Sequence, residues 1–207
     1  MTIKMHPELA GLVLAAGGSA RLGRPKQLVI WRDKPLIIHA INDALAVCGA
    51  GVTVVTGAQA EAVERAVTTA TAGNAVSIVR NAGWEQGMST SLRSGMQAIA
   101  TSDARAVLIL LCDQPLISSL DIERLVEVWA DLPDRPAATQ YNNVCGVPAI
   151  FPAAMFSQLS QLDGDQGARS LLTNLSSDRS VQVENIELDI DTPEDLQQLL
   201  QNTDKHN

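Results

Sequence analysis

Four short apolar runs mark the first half of the chain, at residues 9–15, 52–56, 75–79 and 106–111. Each run has the length of one strand. Strands buried on both faces are continuously apolar, whereas half-buried strands alternate apolar with polar residues. Because all four runs are continuous, they predict a parallel sheet with both faces covered.

Segments with the periodicity of amphipathic helices lie between and after these runs, at residues 36–48, 61–69, 89–100 and 120–129. In the third segment, Leu92, Met96 and Ile99 fall on one face of a helix. Alternating strands and helices predict an α/β fold. We expect a three-layer, mostly parallel, Rossmann-like sheet.

The second half of the chain is less regular. Residues 137–141 and 144–151 have the pattern of two strands joined by a turn at Asn142 and Asn143. We further expect a helix after Gly167, a strand at 181–186 and a helix that begins at Pro193. Since no linker or repeat divides the chain, a single domain over residues 1–207 is expected.

The first apolar run also has the appearance of a short signal sequence, because Lys4 precedes it and small residues follow. Pro7 and Glu8 interrupt the order of charge and apolar core that a signal requires. We therefore interpret the run as the first strand. No run approaches the length of a transmembrane helix, so no contact with a membrane is expected.

The cysteines give a second indication of the compartment. Cys48, Cys112 and Cys145 are widely spaced, and none belongs to a Cys-x-x-Cys pair. This pattern is typical of free thiols in a reducing compartment and contains no zinc motif. We expect a cytoplasmic protein.

Composition and net charge restrict the classes of partner that the protein is expected to bind. Hydrophobic residues make up 46% of the chain and charged residues 18%, which is ample for a buried core. The net charge of −8 repels a phosphate backbone at long range, so no nucleic acid partner is expected. A small anion remains a suitable ligand wherever a local basic segment outweighs the overall charge.

Such a segment lies at the end of the first strand, at residues 14–26, and we call it the glycine-rich loop. It contains three cations: Arg21, Arg24 and Lys26. Open α/β sheets place ligand sites at this end of a strand, and glycine-rich backbone brings N–H groups against phosphate oxygens. Two known phosphate loops are excluded. Arg24 and Pro25 stand where a P-loop has Lys and Ser or Thr, and the glycine spacing does not match the dinucleotide fingerprint. The candidate nucleotide-binding residues are Leu14, Ala15, Ala16, Gly17, Gly18 and Ser19.

Two acidic positions are candidate magnesium ligands. Asp113 lies two residues after the apolar run at 106–111, and the end of a parallel strand faces the same crevice as the glycine-rich loop. Asp189 and Asp191 stand two apart and so share one face of an extended segment. Nearby Thr192 has the spacing of a helix cap. An N-terminal cap near Pro115 is the structural alternative for Asp113.

A third segment, 81–92, places Gln86, Gly87 and Ser89 before or at the start of a predicted helix. Exposed amides, a carboxamide and small hydroxyls are suited to reading a base edge or a ribose. Simple capping of the helix by Ser89 fits the spacing equally well.

The glycine-rich loop, Leu14-Ala15-Ala16-Gly17-Gly18-Ser19-Ala20-Arg21-Leu22-Gly23-Arg24-Pro25-Lys26, closely resembles the signature of the molybdenum cofactor nucleotidyltransferase family. This family belongs to the nucleotide-diphospho-sugar transferase type and contains the MobA-like NTP transferases. The Gly-Met-Ser-x-Ser-Leu element at 87–92 is similar to that of its cytidylyltransferase and oxidoreductase-accessory branch. The resemblance extends over roughly residues 9–200, with its elements in the expected order.

The resemblance implies roles for individual residues. Arg21 and Lys26 are expected to be catalytic, and the Asp-Thr-Pro-Glu segment is expected to bind metal, with Asp191 favoured narrowly over Asp189. Gly167 and Arg169 match acceptor-side elements, although a surface turn explains them equally well. The nucleotide-binding half is then 9–115 and the acceptor-binding half 116–201.

The implied reaction is Mg²⁺-dependent transfer of CMP from CTP to the molybdopterin form of the molybdenum cofactor, with release of pyrophosphate. Ala16 favours CTP, because the guanylyl branch usually has a glycine there. Transfer of GMP to the same cofactor and nucleotidyl transfer to a sugar phosphate remain alternatives. A further alternative is a non-enzymatic carrier or maturation protein for a molybdenum hydroxylase, which is also the possible protein partner.

Overall fold

The computed structural model describes residues 5–73, 75–165, 167–183 and 189–204. Its strands are β1 (Leu9–Ala15), β2 (Ile30–Trp31), β3 (Lys34–Pro35), β4 (Val52–Thr56), β5 (Val76–Arg80), β6 (Ala106–Leu111), β7 (Ala137–Tyr141), β8 (Val144–Pro152) and β9 (Ser180–Gln182). Its α-helices are α1 (Leu36–Val47), α2 (Ala60–Ala70), α3 (Met88–Ile99), α4 (Ser119–Asp131), α5 (Phe156–Gln161) and α6 (Pro193–Asp204).

Seven strands form one sheet in the order β5-β4-β1-β6-β8-β7-β9. The pairs β5–β4, β4–β1 and β1–β6 are parallel, while β8 is antiparallel to both β6 and β7. Every residue of β1 and β4 is buried, as the continuous apolar runs predict. β5 lies at the edge of the sheet and is only partly buried.

The two faces of the sheet carry separate apolar layers. On one face, Leu9 and Val13 of β1 pack in a cluster with residues of α1, α2 and α4. On the other face, Leu12 and Leu14 pack in a cluster with residues of α3 and α5. The alternation of side chains along β1 thus divides the core, and the three-layer, mostly parallel arrangement is confirmed.

A third apolar cluster lies apart from these layers. It joins Leu22, Val29 and Trp31, around the β2–β3 hairpin, to Ile190, Leu196 and Leu199 of the C-terminal segment. We call it the hairpin–α6 cluster. It packs the segment that follows the glycine-rich loop against the helix that follows Asp191.

Most element boundaries lie within two residues of the sequence-based predictions. β5 begins one residue later than the predicted 75–79. The predicted helix after Gly167 is a short 3₁₀ helix, Ala168–Leu172, rather than an α-helix. Of the strand predicted at 181–186, the structure describes Ser180–Gln182, and residues 184–186 lie outside the described residues.

The turn and cap chemistry agrees with the sequence. Asn142 and Asn143 have φ of +45° and +61° and join β7 to β8 as a tight hairpin, a conformation that Asn tolerates well. At the start of α6, the Asp195 N–H donates to Thr192 Oγ1 at 3.2 Å and the Thr192 N–H donates to Asp195 Oδ2 at 2.7 Å. The predicted cap by Thr192 is therefore present. No helix in the described ranges combines the length and the apolar character needed to cross a bilayer.

Candidate active site

The carboxyl ends of β1 and β6 open into a cleft of about 340 Å³. This is the edge where parallel sheets bind ligands. The cleft combines the glycine-rich loop, the end of β6, the start of α3 and Asp165, which follows α5 in the chain. Its walls include Ala16, Gly17, Gly18, Lys26, Gln27, Trp84, Gly87, Ser91, Asp113 and Asp165.

Gly17 and Gly18 present free backbone in this cleft. Their N–H groups donate no hydrogen bond to any part of the chain that the structure describes. A Cβ on Gly17 would meet nothing within 4 Å, whereas one on Gly18 would lie 3.0 Å from the Trp84 ring. Packing within the protein therefore explains glycine at 18, while the space beside Gly17 is left for another molecule.

Lys26 lies at the centre of the charged part of the cleft. Its ammonium group donates to Asp113 Oδ2 and, at 2.8 Å, to Asp191 Oδ1. Burial opposes the charge of Lys26, but Asp113 and then Asp191 outweigh it, so the pKa of Lys26 is raised above its ordinary value. Both carboxylates are thus within one hydrogen-bond length of the same nitrogen, although they are far apart in sequence.

Asp191 is held by two further contacts. Arg21 donates to Asp191 Oδ2 at 2.6 Å. The Asp191 N–H donates to Asp195 Oδ2 at 3.1 Å, so the cap of α6 also fixes the backbone at Asp191. Partial burial works against its charge, but Lys26 and Arg21 hold the pKa of Asp191 below its usual range. The carboxylate is therefore ionised and pre-oriented.

Asp189 has a different environment. Its Oδ1 accepts a hydrogen bond of 3.2 Å from Gln114 Nε2, and it does not share Lys26 with Asp113. Partial loss of hydration and the nearby charge of Asp113 raise the pKa of Asp189 to about 6. The sequence favours Asp191 over Asp189 only narrowly. The geometry also favours Asp191, because Asp191 and Asp113 share the Lys26 ammonium. The Ile190 N–H meanwhile donates to the Asp113 carbonyl at 3.0 Å and ties the segment to the end of β6.

The donor set suits a hard divalent cation. Asp113 and Asp191 offer carboxylate oxygens to a common point, which is the ligand type that Mg²⁺ and Mn²⁺ prefer. In the described ranges, no three His, Cys, Asp or Glu side chains are grouped closely enough to hold a metal alone. A cation at the Asp113–Asp191 pair would need phosphate oxygens and water to complete its coordination.

The residues before α3 divide into those at the cleft and those behind it. Gly87 lines the cleft with φ of +111° and is the N-cap of α3, so the capping role considered for Ser89 is wrong. Ser89 is fully buried, and its hydroxyl has no partner among the described residues. Gln86 belongs to a 3₁₀ turn, Trp84–Gln86, and does not line the cleft. Ser91 lines it instead, oriented by Asn81 Nδ2 at 3.0 Å.

Gly164 and Gly167, which follow α5 in the chain, pack against the start of α3. The Ser89 N–H donates to the Gly164 carbonyl at 3.2 Å, and a Cβ on Gly167 would lie 3.0 Å from Met88 Sδ. This part of the chain thus packs on the start of α3 and brings Asp165 to the cleft. Arg169 is exposed in the 3₁₀ helix that follows.

Several residues at the cleft were not found from the sequence, namely Gln27, Trp84, Glu85, Met88 and Asp165. Trp84 and Gln27 adjoin motifs that the sequence does show, but only the tertiary structure reveals which way their side chains point. Asp165 lies far from the glycine-rich loop in sequence, and only the tertiary structure brings it to the cleft.

The chain is similar in sequence to proteins of known activity. Molybdenum cofactor cytidylyltransferase of Escherichia coli (strain K12) is 27% identical over 187 residues, covering 89% of this chain and 92% of the relative. Nicotine blue oxidoreductase of Paenarthrobacter nicotinovorans is 31% identical over 175 residues, covering 80% and 82%.

Solved structures agree. Rv0371c of Mycobacterium tuberculosis H37Rv, in complex with manganese, is similar with a TM-score of 0.72 and 27% identity over 94% of this chain and 98% of the other. CMP:2-keto-3-deoxy-manno-octonic acid synthetase in complex with CTP shares the fold, with a TM-score of 0.69 and 20% identity over 97% and 100%. The family model described as MobA-like NTP transferase domain matches residues 11–180. By its fold, its glycine-rich loop and this match, the chain belongs to the MobA-like NTP transferase domain family.

Proposed function

We propose that this nucleotidyltransferase transfers CMP from CTP to the molybdopterin form of the molybdenum cofactor, in a reaction that depends on Mg²⁺. The observation that carries the proposal is the position of Lys26. Its ammonium lies between two carboxylates and lines the same cleft as the unpaired amides of Gly17 and Gly18. A triphosphate with a divalent cation matches this arrangement of positive and negative groups.

In this reaction, a phosphate oxygen of the acceptor attacks the α-phosphorus of CTP. A new P–O bond forms, the bond to the β-phosphate oxygen breaks, and pyrophosphate leaves. No general base is needed, because a phosphate monoester is already ionised near neutral pH. Catalysis then consists of positioning and of stabilising charge.

The residues divide this work by location. Gly17, Gly18 and Ser19 cradle the phosphates through the backbone. Lys26 stabilises the α-phosphate as charge shifts, and the exposed Arg21 neutralises the leaving pyrophosphate. Arg21 and Lys26 both contact Asp191 in the protein alone, so each needs to exchange this carboxylate for a phosphate oxygen when the nucleotide binds.

Asp113 and Asp191 are the residues that would hold the metal ion. When bound there, Mg²⁺ would supply charge neutralisation for the triphosphate. The two carboxylates keep Lys26 in place beforehand, so that neither negative group is left buried without a counter-charge. The manganese complex of Rv0371c, at 27% identity, supports a divalent cation in this family.

The choice of CTP rests on the similarity to the cytidylyltransferase of Escherichia coli and not on the contacts of Ala16. Ala16 lines the cleft and is 5% exposed. It also packs tightly, since a Cβ on neighbouring Gly57 would lie 2.8 Å from Ala16 Cβ and 2.7 Å from Trp84 Cβ. The Ala16 methyl thus packs against Gly57, and the choice of CTP over GTP depends on the similarity to the cytidylyltransferase.

The similarity to nicotine blue oxidoreductase brings a second activity into view, but the charges of the cleft do not favour it. Hydride transfer requires no ammonium held between two carboxylates. A carrier or maturation protein for a molybdenum hydroxylase would likewise have no use for Lys26, Asp113 and Asp191 in contact with one another. Both alternatives predict that no pyrophosphate is formed.

Pyrophosphate release decides among these functions. The protein is assayed with CTP, GTP, ATP and UTP in Mg²⁺, each with and without molybdenum cofactor. Release with CTP and cofactor together is the expected result. Release with GTP instead would assign guanylyl transfer, and release with a sugar phosphate as acceptor would assign a different substrate. No release with any pair would contradict the enzymatic proposal.

A further inference from the structure

The side chain of Gln27 fastens the glycine-rich loop from the protein side. It is 1% exposed, and its Nε2 donates to the carbonyl oxygens of Ala15 at 2.9 Å and Gly17 at 2.8 Å. The N–H of Lys26, one residue earlier, donates to Ser19 Oγ at 3.0 Å. Two consecutive residues therefore hold Ala15, Gly17 and Ser19, which are alternate positions of the loop.

These bonds determine where the loop amides point. A peptide unit is planar and trans, so its carbonyl and its N–H point in opposite directions. The Gly17 carbonyl and the Gly18 N–H belong to the same peptide unit. Because Gln27 draws this carbonyl towards itself, the Gly18 N–H points to the opposite side, where it donates to no atom in the described ranges.

We propose that Gln27 is a positioning residue for the triphosphate: its amide nitrogen orients the Gly17–Gly18 peptide so that the Gly18 N–H faces a phosphate oxygen. Gln27 acts through the backbone and does not itself contact the phosphate. The inference rests on the proposed function, because it takes the glycine-rich loop to bind a nucleoside triphosphate.

The environment of Gln27 Oε1 indicates that packing alone does not explain glutamine at this position. Its Oε1 is buried and has no hydrogen-bond partner among the described residues. The orientation of the amide is set by its partners, since carbonyl oxygens accept and only the nitrogen donates. A buried acceptor without a partner costs folding free energy, which methionine of similar length would avoid. The two donated bonds to the loop are what glutamine supplies in addition.

The test compares Gln27→Met and Gln27→Glu with wild type. Methionine removes the two donated hydrogen bonds, which lowers stability, and it removes the unpaired acceptor, which raises stability. Glutamate keeps the shape but directs a carboxylate at two carbonyl oxygens. Thr71→Val is the matched control, because it removes a buried bond from Thr71 Oγ1 to the Val67 carbonyl (2.8 Å) in the last turn of α2, which does not line the cleft.

Binding of CTP with Mg²⁺ and of cytidine is measured by calorimetry, with urea unfolding alongside. We expect Gln27→Met to bind CTP roughly ten-fold more weakly, equivalent to the loss of one well-placed hydrogen bond. Cytidine affinity should stay at the wild-type value. Gln27→Glu should bind CTP more weakly still, and Thr71→Val should bind it as wild type does.

One measurement needs no variant. In the ¹⁵N-labelled wild type, the Gly18 amide resonance should shift when pyrophosphate and Mg²⁺ are added, as expected for a new charge-assisted hydrogen bond. A Gly18 resonance that does not respond to bound pyrophosphate would overturn the inference even if the Gln27 variants do not fold.

The remaining outcomes separate the inference from the function on which it rests. Equal CTP affinity in wild type and Gln27→Met would overturn the inference alone. Parallel losses of CTP and cytidine affinity would do the same, because they indicate a general disturbance of the cleft. A wild type that binds no CTP would overturn the proposed function together with the inference.

Discussion

Gly17 stands where nothing within the protein requires a glycine. Its φ lies outside the left-handed region, and an added Cβ would touch no atom within 4 Å. Gly23, in the same loop, differs because its φ is +73°. Glycine at 17 is therefore explained by the space that a ligand needs, and glycine at 23 by its positive φ.

Replacement of Gly17 by Ala tests this difference. We expect the free energy of unfolding to rise by about 0.5 kcal/mol, since alanine restricts the unfolded chain. CTP affinity should fall about ten-fold, because a methyl group displaces a phosphate from the loop amides. Gly23→Ala should behave in the opposite way, losing about 1 kcal/mol of stability through its positive φ while binding CTP as before. Urea unfolding and calorimetry measure both, and a Gly17→Ala protein with unchanged CTP affinity would refute the interpretation.

Lys26→Ala should reduce turnover far more than nucleotide binding. Removing one preorganised charge from a reaction centre costs about 10²- to 10³-fold in kcat. Arg24→Ala is the matched control, because Arg24 lies in the same loop and is exposed, with no hydrogen bond or ion pair to the described residues. Steady-state release of pyrophosphate at saturating CTP measures the effect. Unchanged turnover in Lys26→Ala would remove Lys26 from the mechanism.

Sequence reasoning reached Lys26 and Asp113 because each adjoins a recognisable local pattern. It did not reach Gln27 or Trp84, whose positions depend on which way a buried side chain turns. Ser89 was a candidate for both base contact and helix capping. The structure replaces the cap with Gly87 and brings Ser91 to the cleft, because the helix begins one residue earlier than its polar pattern suggests.

Among the elements, the central strands were predictable because burial on both faces leaves one simple signal. β1, β4 and β6 have the predicted boundaries for this reason. The segment after Gly167 has no such signal. Five residues form a 3₁₀ helix there, with Ala168 and Leu172 buried, and local periodicity over so short a span does not separate 3₁₀ from α.

One interaction between elements has no counterpart in the sequence patterns. The buried guanidinium of Arg179, just before β9, donates to the carbonyl oxygens of Val128, Leu132, Arg135 and Pro136 at and beyond the end of α4. Helix C-termini leave carbonyls unsatisfied, and a cation there satisfies them and complements the helix dipole. Arg179 thus joins α4 to the edge of the sheet.

Arg179→Met should therefore destabilise the fold. Removal of the donors leaves several buried carbonyls unpaired, and we expect a loss of about 2–4 kcal/mol. Arg135→Met is the control, because its side chain is exposed and its carbonyl remains in place. Urea unfolding followed by circular dichroism measures the difference, and equal midpoints for the two variants would contradict the structural role.

At the scale of the whole molecule, the charged site depends on chain segments that are 165 residues apart, Lys26 and Asp191. The sequence offered Lys26, Asp113 and Asp191 as candidates, but nothing local predicted that Lys26 bridges both carboxylates. That contact follows from the way the hairpin–α6 cluster packs the C-terminal helix beside the glycine-rich loop.

Shortening a buried side chain in the hairpin–α6 cluster should displace Asp191 and so weaken the response to Mg²⁺. Leu199 is fully buried there, and Leu199→Ala is expected to cost about 2–4 kcal/mol of stability. Leu200→Ala, on the same helix but with Leu200 46% exposed, is the control and should change little. At a temperature where both variants are folded, the Mg²⁺ concentration needed for half-maximal activity should rise only in Leu199→Ala. The same Mg²⁺ requirement in both would separate Asp191 from the packing of α6.

The separateness of the hairpin–α6 cluster has a consequence for dynamics. Because its apolar contacts are distinct from the two layers on the sheet, the C-terminal segment can open locally while β1, β4 and β6 stay paired. Amide hydrogen exchange in α6 should then be faster than in the central strands. A metal–nucleotide complex that engages Asp113 and Asp191 together would close this opening and slow exchange in α6. Occupancy of the site would thereby be detected in the hydrogen exchange of α6, a helix that does not line the cleft.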